Sequence, residues 1–454
     1  MGTPTTKKIF IKTYGCQMNV YDSVRMHDVM APLGYSASDT VEGADLVILN
    51  TCHIREKAEE KVYSELGRIR EEKQKKADAG ERMLIAVGGC VGQAEGEEIF
   101  KRAPYVDIVL GPQSYHQLPE MVTRAVRENG GVVNIDFPAV SKFDALPAST
   151  HAQGASAFLS IQEGCDKFCS FCVVPYTRGA EYSRPLTSVL EEARALEQNG
   201  VAEITLLGQN VNAYHGAKEG GATASLAELI EGIARLSGIR RIRYTTSHPR
   251  DMSDDLIAIH GAEPKLMPYL HLPVQSGSNG VLKRMNRKHD AAFYMDIIER
   301  LRKARPDIAF SSDFIVGFPG ETDREFEETM QLVRSVNFAS AYSFKYSPRP
   351  GTPASVDEQL PEEVKTERLS RLQALLGEQQ RAFNMAQLGK DVEILLDRDG
   401  RYEGQLIGKS PYMQSVHVQG AEALRGRMVQ VRITAASQGS LTGELITNPL
   451  RKVS

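Results

Sequence analysis

Three cysteines that stand far apart in the sequence constrain this chain most. Cys16, Cys52 and Cys90 each follow a short β-branched, aromatic or apolar run, at residues 8–14, 45–50 and 82–87. Helical patterns at about 20–33 and 55–76 separate those runs, and a fourth run lies at 106–110. Such alternation predicts a parallel sheet with covering helices. The carboxyl ends of parallel strands share one edge, where ligand crevices form, so the three thiols are expected to meet in space. Gly15 and the pair Gly88-Gly89 stand beside them and let backbone approach a bulky ligand closely. Three ordinary core cysteines are the plainer alternative, but that account does not explain why the placement occurs three times.

At 454 residues, with 41% hydrophobic and 25% charged side chains, the chain reads as globular with two or three domains. No apolar run approaches the roughly 20 residues that span a bilayer. Residues 1–12 lack the charged-then-apolar pattern of a leader. Gly2 and Thr6 fit a loose acylation pattern that Pro4 interrupts, and chance explains it. A reducing, cytoplasmic location is therefore expected, in which cysteines serve metals or catalysis rather than disulfides. The net charge of −4 gives no general sign of nucleic-acid binding. Basic residues crowd positions 235–305, however, while acids dominate 321–328, and a local basic face suffices to bind RNA.

Beyond a linker at 137–157, strand–helix alternation resumes, with strands expected at 158–161, 203–207, 241–245, 269–272, 309–316 and 341–346. Six such repeats are what a parallel (β/α) barrel, or part of one, requires. Polar residues again follow the strands: Cys165, Gln209-Asn210, Ser247-His248 and Gln275-Ser276. A helical run at 362–387 leads to short alternating strands at 392–396, 402–407, 415–418, 428–435 and 441–446, the pattern of a small antiparallel β-barrel. The expected domains are 7–130, 151–385 and 388–450. Arg398, Arg401, Lys409, Arg425, Arg427 and Arg432 suit a phosphate-rich partner. Tyr402 and Tyr412 are positioned either to stack on bases or to pack in the barrel core.

Cys165, Cys169 and Cys172 form a CxxxCxxC motif, with Phe171 directly before the last cysteine. Thiolates are the preferred ligands of iron–sulfur clusters, and three of them leave one iron of a 4Fe–4S cube open to a cofactor or substrate. Zinc usually takes four protein ligands, and three thiols cannot all pair as disulfides.

The motif and its placement resemble the radical S-adenosylmethionine (SAM) superfamily. The whole chain, with three dispersed cysteines, a central barrel and a terminal β-barrel like the TRAM domain, resembles its methylthiotransferase branch. The stretches that carry the likeness are residues 14–19 (YGCQMN), 21–23 (YDS), 172–179 (CVVPYTRG), 207–214 (LGQNVNAY), 313–321 (DFIVGFPGE) and 346–354 (YSPRPGTPA). The resemblance implies an α/β fold with a partial (β/α)6 barrel and two 4Fe–4S clusters. One would sit on Cys165, Cys169 and Cys172 with SAM, and one on Cys16, Cys52 and Cys90 as sulfur carrier. It further implies methylthiolation at C2 of N6-isopentenyladenosine beside the anticodon of tRNA. An external electron donor, a supplier of sulfur or clusters and a monomeric state go with that reading. Phe171, Gln209, Ser247, Gln275 and Asp313 are its candidates for the SAM or substrate pocket, the last four at expected strand ends. His53, after Cys52, departs from the smaller residue of many relatives, and a helix-entry or surface role is expected for it. Two other readings stay open. One keeps the chemistry on threonylcarbamoyladenosine in tRNA or on a ribosomal protein, and the other is a non-enzymatic iron–sulfur protein for RNA binding or electron transfer.

Overall fold

Strand β3 (Leu46–Thr51) and strand β4 (Leu84–Gly89) are buried at every position, as parallel strands covered on both faces must be. They sit centrally in a six-stranded, wholly parallel sheet with β1 (Lys7–Thr13), β2 (Tyr35–Ala37), β5 (Ile108–Leu110) and β6 (Val132–Asn134), in the order β2-β1-β3-β4-β5-β6. Successive side chains alternate between faces. Leu46 and Ile48 pack with Met26 and Met121 on one side, Val47 and Leu49 with Leu66 and Ile69 on the other. The edge strands β2 and β6 were not among the sequence expectations, because three residues carry no readable period-2 pattern. This computed structural model describes residues 7–52, 58–128, 131–137, 141–147, 154–420 and 422–446. His53, the N-terminal pattern of Gly2 and Thr6, and part of the expected linker lie outside the described residues.

Two compact units emerge from the packing. The first comprises Met1–Ala152, Glu163–Asp166 and Val173–Arg184, and the second comprises Gln153–Gln162, Lys167–Cys172 and Pro185–Ser454. In the second unit, β7 (Ser156–Ser160), β8 (Glu203–Leu207) and β9 (Arg241–Tyr244) form a parallel sheet in the order β9-β8-β7. A second parallel sheet holds β10 (Tyr269–His271), β11 (Ala309–Val316) and β12 (Ser340–Lys345). A parallel bridge between Ile242 and Leu266 joins the halves, which makes a partial six-stranded barrel. Ile204, Leu206, Ile242, Tyr244, Phe310 and Phe314 face the helices and build the main core. By alternation, Glu203, Thr205, Arg241, Arg243, Ser311 and Asp313 face inward.

The terminal barrel is closed by five strands: β13 (Asp391–Asp399), β14 (Gln405–Lys409), β15 (Ser415–Gln419), β16 (Met428–Ala436) and β17 (Ser440–Leu445), in the order β13-β14-β15-β17-β16. It is not wholly antiparallel, since β15 and β17 pair in parallel. Nor does Tyr402 belong to a strand as expected. It lies in the turn before β14, where Gly404 takes a left-handed φ of 69°. Inside the second unit, two inward-facing arginines of β9 hold this barrel. Arg241 donates to the carbonyls of Lys409 (2.8 Å) and Glu393 (2.5 Å), and Arg243 to those of Pro411 (2.7 Å) and Ser410 (2.9 Å). Glu203 stands 3.6 Å from Arg241 and 3.1 Å from Arg243, so the buried charges are partly balanced.

The core of this unit also contains a fully buried histidine. His260 Nε2 lies 2.7 Å from the Tyr244 hydroxyl, and burial, with Arg305 nearby, lowers the imidazole to about 3. A depressed folded-state value means that the unfolded chain binds the extra proton first. The contribution is complete above about pH 6.5 and is lost as pH falls toward 3, up to on the order of 5 kcal/mol. Urea unfolding of a His260→Gln protein should therefore weaken less steeply below pH 6.5 than that of the parent. Equal acid slopes would show that His260 is not the titrating group.

Candidate metal centres

Each of the first three cysteines stands at the carboxyl end of a neighbouring strand. Cys16 is three residues past β1 and caps helix α1 (Gln17–Met30), Cys52 directly follows β3, and Cys90 directly follows β4. Thr51 pairs with Gly89, so Cys52 and Cys90 leave their strands side by side. Two glycines make the approach possible. A Cβ on Gly15 (φ 123°) would lie 2.5 Å from Cys52 Cβ, and one on Gly89 (φ 85°) 2.4 Å from the Thr51 carbonyl oxygen. Any other residue would collide there, besides adopting a strained backbone.

A polar clamp fixes these chain ends. Asn19 Oδ1 accepts from the Cys16 N–H (3.3 Å), and its amide donates to Asn50 Oδ1 (3.1 Å) and the Thr51 carbonyl (3.0 Å). Asn50 donates back to the Asn19 carbonyl (2.8 Å) and to Ser23 Oγ (2.9 Å). Thr51 Oγ1 bridges to the Gly88 carbonyl at 2.6 Å. Cys52 and Cys90 are buried and Cys16 is half-buried. Among the described residues, no three His, Cys, Asp or Glu side chains gather tightly enough to hold a single metal ion. Three thiols without a fourth protein ligand are the donor set of a 4Fe–4S cube, in which each thiolate would bind a different iron, rather than of structural zinc.

Behind the trio lies a buried ion network. Arg178, the last residue of α2 (Val174–Arg178), donates to Glu163 at 2.7 Å and pairs with Asp22 at 2.9 Å. Lys142 Nζ lies 2.7 Å from Glu163, 3.5 Å from Asp22 and 4.5 Å from the Tyr115 ring centroid. Burial works against the Arg178 charge, but Asp22, Cys90, Glu163 and Cys16 outweigh it and hold the guanidinium well above its ordinary value. This positive group therefore lies within electrostatic reach of Cys16 and Cys90.

In the CxxxCxxC loop, the Cys165 N–H donates to the Gly179 carbonyl at 3.3 Å. In the second unit, Cys172 N–H donates to the Cys169 carbonyl (3.0 Å), and Ser170 N–H and Oγ donate to the carbonyls of Met285 (3.1 Å) and Arg284 (2.8 Å). Phe168 takes a left-handed φ of 48°, and its carbonyl accepts from Asn286 at 2.8 Å. Arg287 Nη1 reaches Cys169 Sγ at 3.5 Å.

The pocket candidates divide. Phe171 packs against Val281, Met285, Phe318 and Tyr346. Gln209 follows β8, and its N–H donates to Gln162 Oε1 at 2.9 Å. Ser247 follows β9 and is buried, with no partner for its hydroxyl among the described residues. Gln275 has a left-handed φ of 76°, and its backbone bonds to both Asp313 and Ile315. Asp313 does not lie at a strand end as expected. It sits inside β11 on the inner face, 3.5 Å from His271 Nε2 and paired in register with the exposed Tyr342.

Several site residues were missed, although the sequence reading touched two of them. Asn210 and His248 belong to the singled-out dipeptides, but alternation does not decide which member of a loop pair turns inward. Asn210 Oδ1 and His248 Nε2 are buried and, among the described residues, unpartnered. Burial and the charges of Arg287, His289, Lys167 and Arg250 push His248 far below its ordinary value, so it is neutral near pH 7. Burial and Arg287 also lower His289, to about 4. The buried polar atoms of Ser247, Asn210 and His248, unpartnered among the described residues, fit a polar cofactor such as SAM.

Residues 159–333 match the model of the Radical SAM superfamily, residues 8–111 that of the uncharacterized protein family UPF0004, and residues 386–446 that of the TRAM domain. The radical S-adenosylmethionine methyltransferase TsrM of Kitasatospora setae, solved with cobalamin and a 4Fe–4S cluster bound, is similar in fold. Its TM-score is 0.56 over 78% of this chain and 77% of that one, at 14% identity. Fold and motif together define a radical SAM enzyme. Sequence comparison is sharper. The tRNA-2-methylthio-N(6)-dimethylallyladenosine synthase of Rickettsia rickettsii (strain Sheila Smith) is 58% identical over 444 residues, 97% of this chain and 100% of that one. That of Rickettsia bellii (strain RML369-C) is 58% identical over 443 residues, 97% and 99% of the two chains. The chain belongs to the family of tRNA-2-methylthio-N(6)-dimethylallyladenosine synthases. No described helix is long and apolar enough to cross a membrane.

Proposed function

We propose that this chain methylthiolates C2 of N6-isopentenyladenosine next to the anticodon in tRNA, using two 4Fe–4S clusters. One is held by Cys165, Cys169 and Cys172, the other by Cys16, Cys52 and Cys90. The observation that carries the reading is the convergence of Cys16, Cys52 and Cys90 at the ends of three adjacent parallel strands, in a chain that also has the CxxxCxxC loop. Bound there, the clusters and SAM would supply one-electron cleavage of one SAM for hydrogen abstraction at C2, a methyl group from a second SAM, and sulfur for the new C–S bond. An unactivated aromatic C–H bond lies beyond ordinary acid–base residues, which accounts for the absence of any such pair from the reading.

The protein's own groups bind and orient. Asn19, Asn50 and Thr51 hold the strand ends that carry Cys16, Cys52 and Cys90. Ser247 Oγ, Asn210 Oδ1 and neutral His248 are free to bond the polar atoms of SAM. Tyr342 and Phe344 expose aromatic rings from β12 and suit a flat base with an apolar N6 substituent. The division of labour follows the domains 7–130, 151–385 and 388–450. A cytoplasmic monomer served by an electron donor and a sulfur or cluster supplier completes the reading. Anaerobic incubation of the reconstituted protein with prenylated tRNA, SAM and a reductant tests it. Mass spectrometry of the digested RNA should then show the 2-methylthio nucleoside, and absence of that product would defeat the assignment.

For the terminal barrel, only part of the expected basic face is available to RNA. Lys409 Nζ is spent inside the fold, 3.0 Å from Ser415 Oγ, and burial lowers its value. Tyr412 packs edge-on against Phe383. Arg425 and Arg432 pair with Asp399 and Asp391. Arg398, Arg401 and Arg427 are exposed and make no ion pair among the described residues, and Tyr402 is exposed beside Arg401. Replacing Arg398 and Arg401 by alanine should weaken tRNA binding and lower the salt slope of log K by about two. Lys409→Ala should leave that slope unchanged and lower stability instead. An unaltered slope in the arginine variant would remove this face from the RNA contact.

A further inference from the structure

Five buried guanidinium groups among the described residues face carboxylates, and Arg287 differs from them. Arg25 faces Asp28, Arg178 faces Asp22 and Glu163, Arg241 and Arg243 share Glu203, and Arg368 faces Glu321 and Asp323. Arg287 is 5% exposed and makes no ion pair among the described residues. Its Nη2 donates to the Pro273 carbonyl, its Nε has no partner among the described residues, and its Nη1 points at Cys169 Sγ, 3.5 Å away. The histidines and the lysine around it do not compensate it. His248 and His289 are neutral near pH 7, and Lys167 is already paired with Asp251 at 2.8 Å.

An isolated buried cation is costly, and proteins keep one only where an anion completes it. The atom under Nη1 is the Cys169 sulfur, and a cysteine that ligates iron does so as thiolate. Charge-assisted N–H bonds to cluster sulfurs, and the charge around the cluster, set how readily it accepts an electron. We propose that Arg287 is a positioning residue for the CxxxCxxC cluster: its guanidinium holds the Cys169 thiolate by a charge-assisted hydrogen bond and raises the reduction potential of that cluster. This inference rests on the assignment of Cys165, Cys169 and Cys172 as cluster ligands. The step concerned is uptake of one electron by the oxidised cluster from an external one-electron reductant, with no bond made or broken. A fixed positive charge favours the reduced, more negative form. The phenol of Tyr294, with its hydroxyl on the Leu272 carbonyl at 3.0 Å, adds no competing charge.

The test uses full-length protein with Cys16, Cys52 and Cys90 replaced by alanine, so that any cluster present is the one in question. Arg287→Met and Arg287→Lys are compared in that background by iron and sulfide content and by dye-mediated redox titration followed by electron paramagnetic resonance, without SAM. The methionine variant should hold its cluster with the reduction equilibrium weakened about tenfold, a shift of about 59 mV to more negative potential. Lysine, which keeps the charge, should recover most of that shift. An unmoved potential in the methionine variant overturns the proposal. So does a potential unmoved without SAM but altered once SAM is added, which would assign the arginine to the SAM carboxylate. If the methionine variant fails to retain a cluster, the lysine variant decides: a potential close to that of the parent supports the charge role, and one as low as tenfold overturns it. If the parent background holds no iron at all, the ligand assignment itself has failed, which separates that outcome from failure of the arginine role.

Discussion

A protein with Cys165, Cys169 and Cys172 replaced by alanine is expected to release no 5′-deoxyadenosine and to form no methylthiolated nucleoside. The opposite triple variant, at Cys16, Cys52 and Cys90, should still cleave SAM while forming no methylthio product. These are losses of function, not attenuations, because an aromatic C–H bond offers no slower polar route for residual side chains to exploit. Cys16, Cys52 and Cys90 are held by a clamp of Asn19, Asn50 and Thr51, and the Cys172 N–H donates to the Cys169 carbonyl. Quantifying deoxyadenosine and the modified nucleoside in parallel reads both halves. Methylthiolation by the Cys16, Cys52 and Cys90 variant would make those thiols structural.

The second large effect is on stability. Glu163→Ala removes the carboxylate that accepts from both Lys142 and Arg178 and leaves two buried cations against Asp22 alone. Breaking a buried pair from one side typically costs about 3–5 kcal/mol, because the remaining charge stays desolvated. Lys142 and Glu163 are buried to within 3% of completely, so solvent screening does little to relieve that cost. Urea unfolding of the metal-free protein should show the loss, and Glu163→Gln, which keeps two acceptor lone pairs but no charge, should recover part of it. A Glu163→Ala midpoint equal to that of the parent would mean that the network has relaxed into a neutral arrangement.

Much of this was legible in the sequence, for identifiable reasons. Strands β3 and β4 announce themselves by their apolar runs Leu46–Leu49 and Leu84–Val87, and their cysteines inherit a common edge from parallel topology. Glycine with φ above zero at positions 15 and 89 is visible only as a glycine next to a cysteine. The collision that excludes a Cβ there depends on β1, β3 and β4 lying side by side. The short edge strands carry too few residues to show a period. Strand β11 forms over Ala309–Val316, the span expected from the sequence, so Asp313 lies within it and only its assignment to a strand end fails. Lys409 read as a surface cation because strand alternation does not reveal that β9 arginines reach the carbonyls around it. The buried network of Asp22, Lys142, Glu163 and Arg178 joins four separate stretches of sequence. No local pattern encodes it, although Arg178 lies within a motif that marks the family.

The most direct test of the central claim is the iron and acid-labile sulfide content of anaerobically reconstituted protein, with each cysteine triple replaced in turn. Two independent three-thiolate clusters predict that either variant retains about half the iron and sulfide of the parent. Full iron in the Cys16, Cys52 and Cys90 variant would contradict the account, leaving one cluster and three structural thiols.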